Sequence, residues 1–550
     1  MLYHHGEQVE HMGVLPSMSA DRYGDKTAFS FMGTEQSYAE LETRSNEVAN
    51  VLVDHGVESG DRVGLFIPNT MQFPAAYFGV IKAGAVATPL NLRMDPETLT
   101  YILDDAGADV LIGSALLADE AQELAAAAGI ETLFLPGVDD AERGIVNYSH
   151  ALMEADDEFE RVEREYGDIA AQPYTSGTTG RPKGVMLSHR NLLATVESYS
   201  QGGLDVGPDD TLLLVLPLFH IYGLNALLGS YVYAGSKMVL QPKPEPKNML
   251  RAIEDHRVTK FSGVPAMYTM LFREYREDPD AYDLSSLEHV TCAAAPLAED
   301  VRRTIEDAWE TPVLEGWGMT ETSPAGTLEP AIAIHKEAGC IGPPLPGIDL
   351  KIVDPATRET IVGPADLEPT PSDEIEFDDE EAVTGELAIR GDNVFEGYYN
   401  RPEKTAKVLD DEGWFYTEDI ARVDADGYFW MVDRADDMII AGGENVYPAE
   451  VESALYEHPD VAEAAVVAAP HEVKGEAPVG YVVLEEGADL TERELREFSL
   501  DYVATYAHPR RIFTVDELPR SATQKVQRYK LEEDVAERLD EPLESGTGDL

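Results

Sequence analysis

The chain has 550 residues, room for three or four domain-sized units, and 43% of them are hydrophobic, as expected of a globular protein. It carries 104 Asp and Glu against 41 Lys and Arg, a formal charge of −63. That balance disfavours nucleic acid and anionic membrane surfaces as partners. It fits a halophilic cytosol, where molar salt shortens the Debye length to about 3 Å and screens self-repulsion.

No apolar run approaches the roughly 18 residues of a membrane span, and the N-terminus lacks the basic and apolar regions of a leader, so a cytoplasmic location is expected. Two cysteines, Cys292 and Cys340, exclude a disulfide framework and a Cys-based metal site. His4, His5 and His11 have neither a HExxH spacing nor an acidic partner in register, and read as a solvated tail.

From about residue 37 to 345 the apolar runs Arg62 to Pro68, Ala85 to Leu90, Val110 to Gly113, Thr211 to Leu216, Lys237 to Leu240 and Val290 to Ala295 read as strands. They alternate with segments of helical spacing such as Tyr38 to His55 and Asn248 to His256. The alternation predicts α/β layers with mainly parallel sheets. Near Gly347 the texture changes: Leu350 to Val353, Gly385 to Arg390 and Tyr428 to Val432 suggest a small barrel or antiparallel unit. Residues 363 to 383 hold nine acids and no Lys or Arg, a solvated loop without a catalytic role. From about Asp436 a further alternation predicts helices over Val446 to His458 and Glu492 to Tyr502, with strands over Ala462 to Ala469 and Pro478 to Leu484.

Residues 174 to 189, Tyr-Thr-Ser-Gly-Thr-Thr-Gly-Arg-Pro-Lys-Gly-Val-Met-Leu-Ser-His, have the chemistry of a polyphosphate cradle. Gly177, Gly180 and Gly184 let backbone N–H groups turn towards an anion, Thr175, Ser176, Thr178 and Thr179 add hydroxyl donors, and Lys183 adds charge. The P-loop is excluded because Lys183 is followed by Gly184, where that motif needs Ser or Thr. The segment resembles the phosphate-binding signature of the adenylate-forming superfamily, which includes acyl-CoA synthetases, amino-acid adenylation domains and luciferases.

Further blocks match the same superfamily in its order, so that the resemblance runs from about residue 20 to 535. Leu216 to Asn225 is similar to the block in which a His, here His220, lies beside the acyl carboxylate. Glu315-Gly316-Trp317-Gly318-Met319-Thr320-Glu321-Thr322 follows the loop Cys292 to Leu297 and resembles Tyr-Gly-x-Thr-Glu, with Trp317 in place of the Tyr. Trp414 to Asp419 matches Gly-Trp-x-x-Thr-Gly-Asp, with Glu418 where Gly is common. Asp433 to Pro448 matches the stretch that crosses between the family's large and small domains. Leu518 to Arg528 matches the C-terminal block whose Lys is Lys525, preceded by Gln524 where the family usually has Gly.

The resemblance implies an α/β fold: a large N-terminal AMP-binding domain over 1–433, its layered α/β subdomains joined by a small barrel at about 345–433, and a small mobile α+β domain over 434–550, hinged at Asp436. It implies an ATP-dependent carboxylic acid:CoA ligase using Mg²⁺. Thr175, Ser176, Gly177, Thr178, Thr179 and Lys183 would hold phosphates, Ala294, Gly316 and Trp317 the adenine side, and Asp419 and Arg434 the ribose. Thr320 would meet the α-phosphate, Glu321 the metal, and Gly442 and Gly443 the pantetheine arm of coenzyme A. Lys525 would complete the adenylation site. Tyr222, Ala226, Ala293, Gly316 and Gly318 would line the acyl pocket, their small side chains leaving room for a medium- or long-chain fatty acid or for an aryl acid. A carrier-protein-directed adenylating enzyme and a silent nucleotide sensor are the alternatives. The motifs specify no oligomeric state.

Overall fold

The computed structural model describes the chain apart from residues 1, 176–180, 294–296, 298, 332–338, 368–374, 376, 378, 435–436, 442–443, 472–474, 486, 501, 504–506, 521–525, 540–542 and 544–550. The chain divides into two units by its contacts: Met1–Leu350 with Ile389–Phe415, and Lys351–Ala388 with Tyr416–Leu550. The division thus falls within the barrel-like segment, and residues 351–388 and 416–433 are grouped with the C-terminal region.

The first unit contains two large sheets. In one, strands Ile169–Ala171, Val86–Pro89, Arg62–Phe66, Ala108–Gly113, Thr132–Leu135 and Ile145–Asn147 run parallel in that spatial order, and Lys183–Ser188 joins antiparallel beside Ile169–Ala171. Helix Pro96–Ala106 shows how one face is covered. Asp95 accepts the Thr98 N–H at 2.9 Å, Pro96 occupies the first turn, and Gly107 closes the helix at φ +67°. Leu99, Ile102, Leu103 and Ala106 recur at helical spacing and pack with Ala121, Leu124 and Ala125 of helix Ala118–Ala128 over Leu111, Leu133 and Leu135.

The second sheet runs Thr327–Leu328, Val313–Trp317, His289–Ala293, Lys260–Gly263, Thr211–Leu214, Lys237–Leu240, Thr27–Phe31 and Thr34–Ser37. Six of its strands, from Val313–Trp317 to Thr27–Phe31, are parallel. Their carboxyl ends are where an open α/β sheet places ligands, and Ala293 and Gly316 are register partners there.

Strands Phe429–Arg434, Phe415–Val423, Thr384–Gly391, Ile348–Val353 and Thr360–Val362 are consecutive in one further sheet. The C-terminal sheet pairs Val461–His471 with Gly475–Leu484 antiparallel and adds Arg511–Thr514 in parallel. Alternation along Val461–His471 separates two cores. Ala464 and Val466 face Val451, Leu455 and Leu495, whereas Ala465, Val467 and Ala469 face Leu531 and Val535.

One expectation at the N-terminus is corrected. His11 is buried, 3% exposed, and stacks on His189 with ring centroids 4.1 Å apart. Burial, then the neighbouring His189, holds its imidazole neutral, with its pKa lowered to about 2. His4 and His5 also have an acidic partner: both Nε2 atoms lie 3.0 Å from Asp21 Oδ2. The sequence interval to Asp21 concealed this pairing, because a turn at His5-Gly6, both at positive φ, folds the segment back. Among the described residues no helix is long and apolar enough to cross a membrane.

Candidate active site

The phosphate segment is a hairpin. Tyr174 pairs with Gly184 and Thr175 with Lys183, so two antiparallel stems flank the connecting loop. Ser176, Gly177, Thr178 and Thr179, the loop's expected donors, lie outside the described residues. The stems are anchored on one turn of helix Pro96–Ala106. Tyr174 Oη donates to Asp105 Oδ2 at 2.9 Å, and Tyr101 Oη donates to the Pro182 carbonyl at 3.3 Å. Arg401 Nη2 bonds Asp105 Oδ1 at 2.9 Å, and the Arg181 guanidinium lies 4.9 Å over the Tyr101 ring. Burial, then the Asp105 carboxylate, pushes the Tyr174 phenol well above its ordinary pKa, so it remains a donor. Tyr101 and Asp105 are four apart, hence on one helix face; their link to residue 174 is a tertiary contact that sequence spacing did not reveal. The end of the signature is architectural: Ser188 caps helix His189–Ser198 through Asn191, and His189 Nδ1 accepts the Met12 N–H at 3.1 Å.

Strand Val313–Trp317 delivers the second block. Gly316, Trp317, Gly318 and Thr320 are half-buried, and Glu321 is 5% exposed in the short turn Thr320–Thr322. The glycines have a packing cause. A Cβ at Gly318 would lie 1.7 Å from the Pro324 carbonyl oxygen, and one at Gly316 would lie 2.8 Å from Leu328 and 2.9 Å from the Thr327 carbonyl. Their missing side chains therefore admit neighbouring atoms of the protein itself at Thr327, Leu328 and Pro324. Trp317 packs against Gly326, where a Cβ would lie 2.4 Å from the indole.

Glu321 has one side-chain partner among the described residues, Tyr398, whose Oη donates to Oε1 at 2.8 Å; no Lys or Arg among them pairs with it. Glu315, six residues earlier, contrasts with it. It accepts from Leu297 N–H at 3.2 Å, Gly339 N–H at 3.3 Å and Arg302 Nη1 at 3.3 Å. Burial still pushes its pKa up to about 7. Arg302 also pairs with Glu329 at 3.0 Å.

In the block expected to meet the acid, Tyr222–Gly229 is a π-helix, a form concentrated at functional positions and not expected from the sequence. The Tyr222 N–H donates to His220 Nδ1 at 3.3 Å, and the Tyr222 hydroxyl meets Thr291 Oγ1 at 3.1 Å. Tyr222 and Ala293 are half-buried, whereas Ala226 is fully buried inside the π-helical segment. Ala294 lies outside the described residues.

In the second unit, Asp419 and Arg434 are Cα partners across neighbouring strands, so the two expected ribose ligands share a register. Glu418 has φ +61°, the left-handed region that explains a glycine preference at this position. Asp436, Gly442, Gly443 and Lys525 lie outside the described residues.

An α/β scaffold with a hairpin at 174–184 and a buried carboxylate at Glu321 suits an enzyme that handles a nucleotide. Residues 17–399 match the AMP-binding enzyme family, and residues 450–525 match the AMP-binding enzyme C-terminal domain. The chain belongs to the AMP-binding enzyme family. It is 33% identical to a long-chain-fatty-acid–CoA ligase of Bacillus subtilis (strain 168), covering 94% of this chain and 93% of that one. It is 32% identical to 4-coumarate–CoA ligase 2 of Nicotiana tabacum, covering 92% and 90%. The fold matches ATP-bound MatB from Rhodopseudomonas palustris with a TM-score of 0.83 at 32% identity, covering 95% and 98%. The chain is an acid–CoA ligase that forms AMP through an acyl-adenylate, and ATP is its nucleotide.

Proposed function

We propose that the acid is a medium- or long-chain fatty acid and that the predicted site residues act as their motifs imply. The fatty-acid choice is supported by the 33% identical Bacillus subtilis relative. The plant relative, 32% identical, favours an aryl acid as the second reading. The observation that carries the site is Glu321, a buried carboxylate next to Thr320, with a phenol on one oxygen and no cationic side chain paired with it among the described residues.

In the first half-reaction the acid's carboxylate attacks the α-phosphorus of ATP and pyrophosphate leaves; in the second the CoA thiol displaces AMP. The reacting groups of the first step are both anions, so the protein's task is alignment and neutralisation. Lys183 and the 175–180 donors hold the departing phosphates, Lys525 offsets charge at the reacting centre, and Thr320 meets the α-phosphate. Trp317 stacks on adenine, with Ala294 and Gly316 beside it, and Asp419 and Arg434 take the ribose. His220 orients the acid's carboxylate, while Tyr222, Ala293, Gly318 and the buried Ala226 shape its pocket. Glu321 fits Mg²⁺, since a hard carboxylate oxygen is its preferred protein donor, and the bound ion would neutralise phosphate charge. Asp436 serves as the hinge between domains 1–433 and 434–550, and Gly442 and Gly443 pass the pantetheine arm of coenzyme A.

The high-salt cytosol remains part of this reading, supported by the charge of −63. The test is release of pyrophosphate and AMP in concentrated potassium chloride with Mg²⁺ and ATP, across fatty and aryl acids, with and without CoA. Thioester formed from fatty acids is the expected result. Selective turnover of aryl acids would establish the second reading, and adenylate that fails to transfer to CoA would redirect the acceptor to a carrier protein.

A further inference from the structure

Tyr398 joins the phosphate segment to the carboxylate segment while belonging to neither motif. It lies in the strand Gly397–Tyr398, which pairs antiparallel with Lys183–Ser188 in the register Val185 to Tyr398. The Tyr399 N–H donates to the Gly184 carbonyl at 2.8 Å, the Tyr398 N–H to Thr405 Oγ1 at 2.9 Å, and the Phe395 N–H to the Glu321 carbonyl at 2.9 Å. Backbone bonds thus set the place of the ring, which is 5% exposed. The hydroxyl at its rim donates to Glu321 Oε1 at 2.8 Å, and the Lys183 ammonium stands 4.1 Å from its centroid, over the face.

We propose that Tyr398 is a positioning residue for adenylation, holding Glu321 by its hydroxyl and Lys183 by its ring face so that both are set before nucleotide arrives. The proposal rests on the reading of Glu321 as metal ligand and Lys183 as phosphate ligand. A hydrogen bond to an ionised carboxylate is short and strong and fixes the carboxylate's rotation, leaving Oε2 as the oxygen presented to a cation. The negative face of the ring attracts the ammonium without neutralising it. Direct pairing of Lys183 with Glu321 would set the two charges against each other; the phenol bonds one and faces the other, keeping a place for each. A phenylalanine would fill the same space and keep the same backbone ladder while removing the hydroxyl that bonds Glu321.

The experiment compares Tyr398→Phe, Tyr398→Leu and Glu321→Gln with the parent. It reads the Mg²⁺ concentration for half-maximal pyrophosphate release, ATP affinity by calorimetry with Mg²⁺ and with EDTA, and the melting temperature without ligand. Tyr398→Phe is expected to melt with the parent, to need about tenfold more Mg²⁺, as loss of a hydrogen bond to a charged group implies, and to bind ATP normally in EDTA. Tyr398→Leu, which also removes the ring face, should weaken ATP binding in EDTA as well. A Tyr398→Phe protein within twofold of the parent in Mg²⁺ requirement and in ATP affinity with Mg²⁺ would overturn the proposal, whether or not its melting temperature falls. If Glu321→Gln shifts the Mg²⁺ dependence and Tyr398→Phe does not, only the role of Tyr398 fails. If neither shifts it, the metal reading of Glu321 fails with it.

Discussion

Glu315 and Glu321 stand six residues apart in one motif, both buried, yet their surroundings are opposite. Glu315 is met by two backbone N–H groups and by Arg302, which also holds Glu329. Glu321 is met by one phenol, with no ion pair among the described residues. A buried carboxylate whose oxygens are hydrogen-bonded and paired within the fold is architecture, since its polar atoms already have partners. One that is under-partnered keeps its field for something that arrives. Glu315 is thus satisfied within the fold, and Glu321 is the carboxylate proposed to meet a metal.

The comparison breaks most forcefully at Arg302. Arg302→Ala leaves Glu315 and Glu329 buried without their cation and should destabilise the protein by about 3–5 kcal/mol, read as the shift in urea midpoint. A loss under about 1 kcal/mol would mean that the network is not ionised. Glu321→Gln should lower pyrophosphate release by about 10²-fold, the scale of removing one preorganised charge-stabilising group, with little change in the urea midpoint. Equal losses of stability in both variants would erase the distinction.

Acidity sharpens the comparison further. Glu315 is held at about 7 against an ordinary 4.5, so between those values the folded state binds more protons than the unfolded. Its contribution is fully present below about 4.5 and is lost as pH rises through about 7. His11 and His189, held at about 2 and about 3, act in the opposite sense, their contribution being lost as pH falls below about 6.5. The measurement is therefore a difference. Melting temperature followed from pH 5 to 7.5 should fall less, or rise more, in Glu315→Gln than in the parent, and parallel profiles would show that Glu315 is already ionised.

The smallest effect belongs to a third carboxylate. Glu418 sits at φ +61° and its own N–H donates to Glu386 at 3.0 Å. Glu418→Gly should relieve roughly 1 kcal/mol of left-handed strain, partly offset by chain entropy, with unchanged ATP affinity. A gain in turnover would instead make the side chain a brake on the site.

Much of the architecture was legible in the residues themselves. Short apolar runs and helical apolar spacing placed the strands near 62, 110, 211 and 237 and the helices at 38 and 248, because a parallel strand buried on both faces reads as a continuous apolar run and a helix buried on one side repeats every 3.6 residues. The polyphosphate reading of residues 174–189 came from glycine, hydroxyl and lysine chemistry in tight succession, which suits a polyanion. The burial of His11, the role of Asp105 beneath Tyr174, the π-helix at Tyr222–Gly229 and the bond from Tyr398 to Glu321 were not. All but the π-helix depend on groups tens to hundreds of residues apart, and no local period encodes which distant partner a side chain meets. Gly316 and Gly318 show the same limit: the sequence determined that those sites lack a side chain, and only tertiary packing decided that the vacated space belongs to Thr327, Leu328 and Pro324.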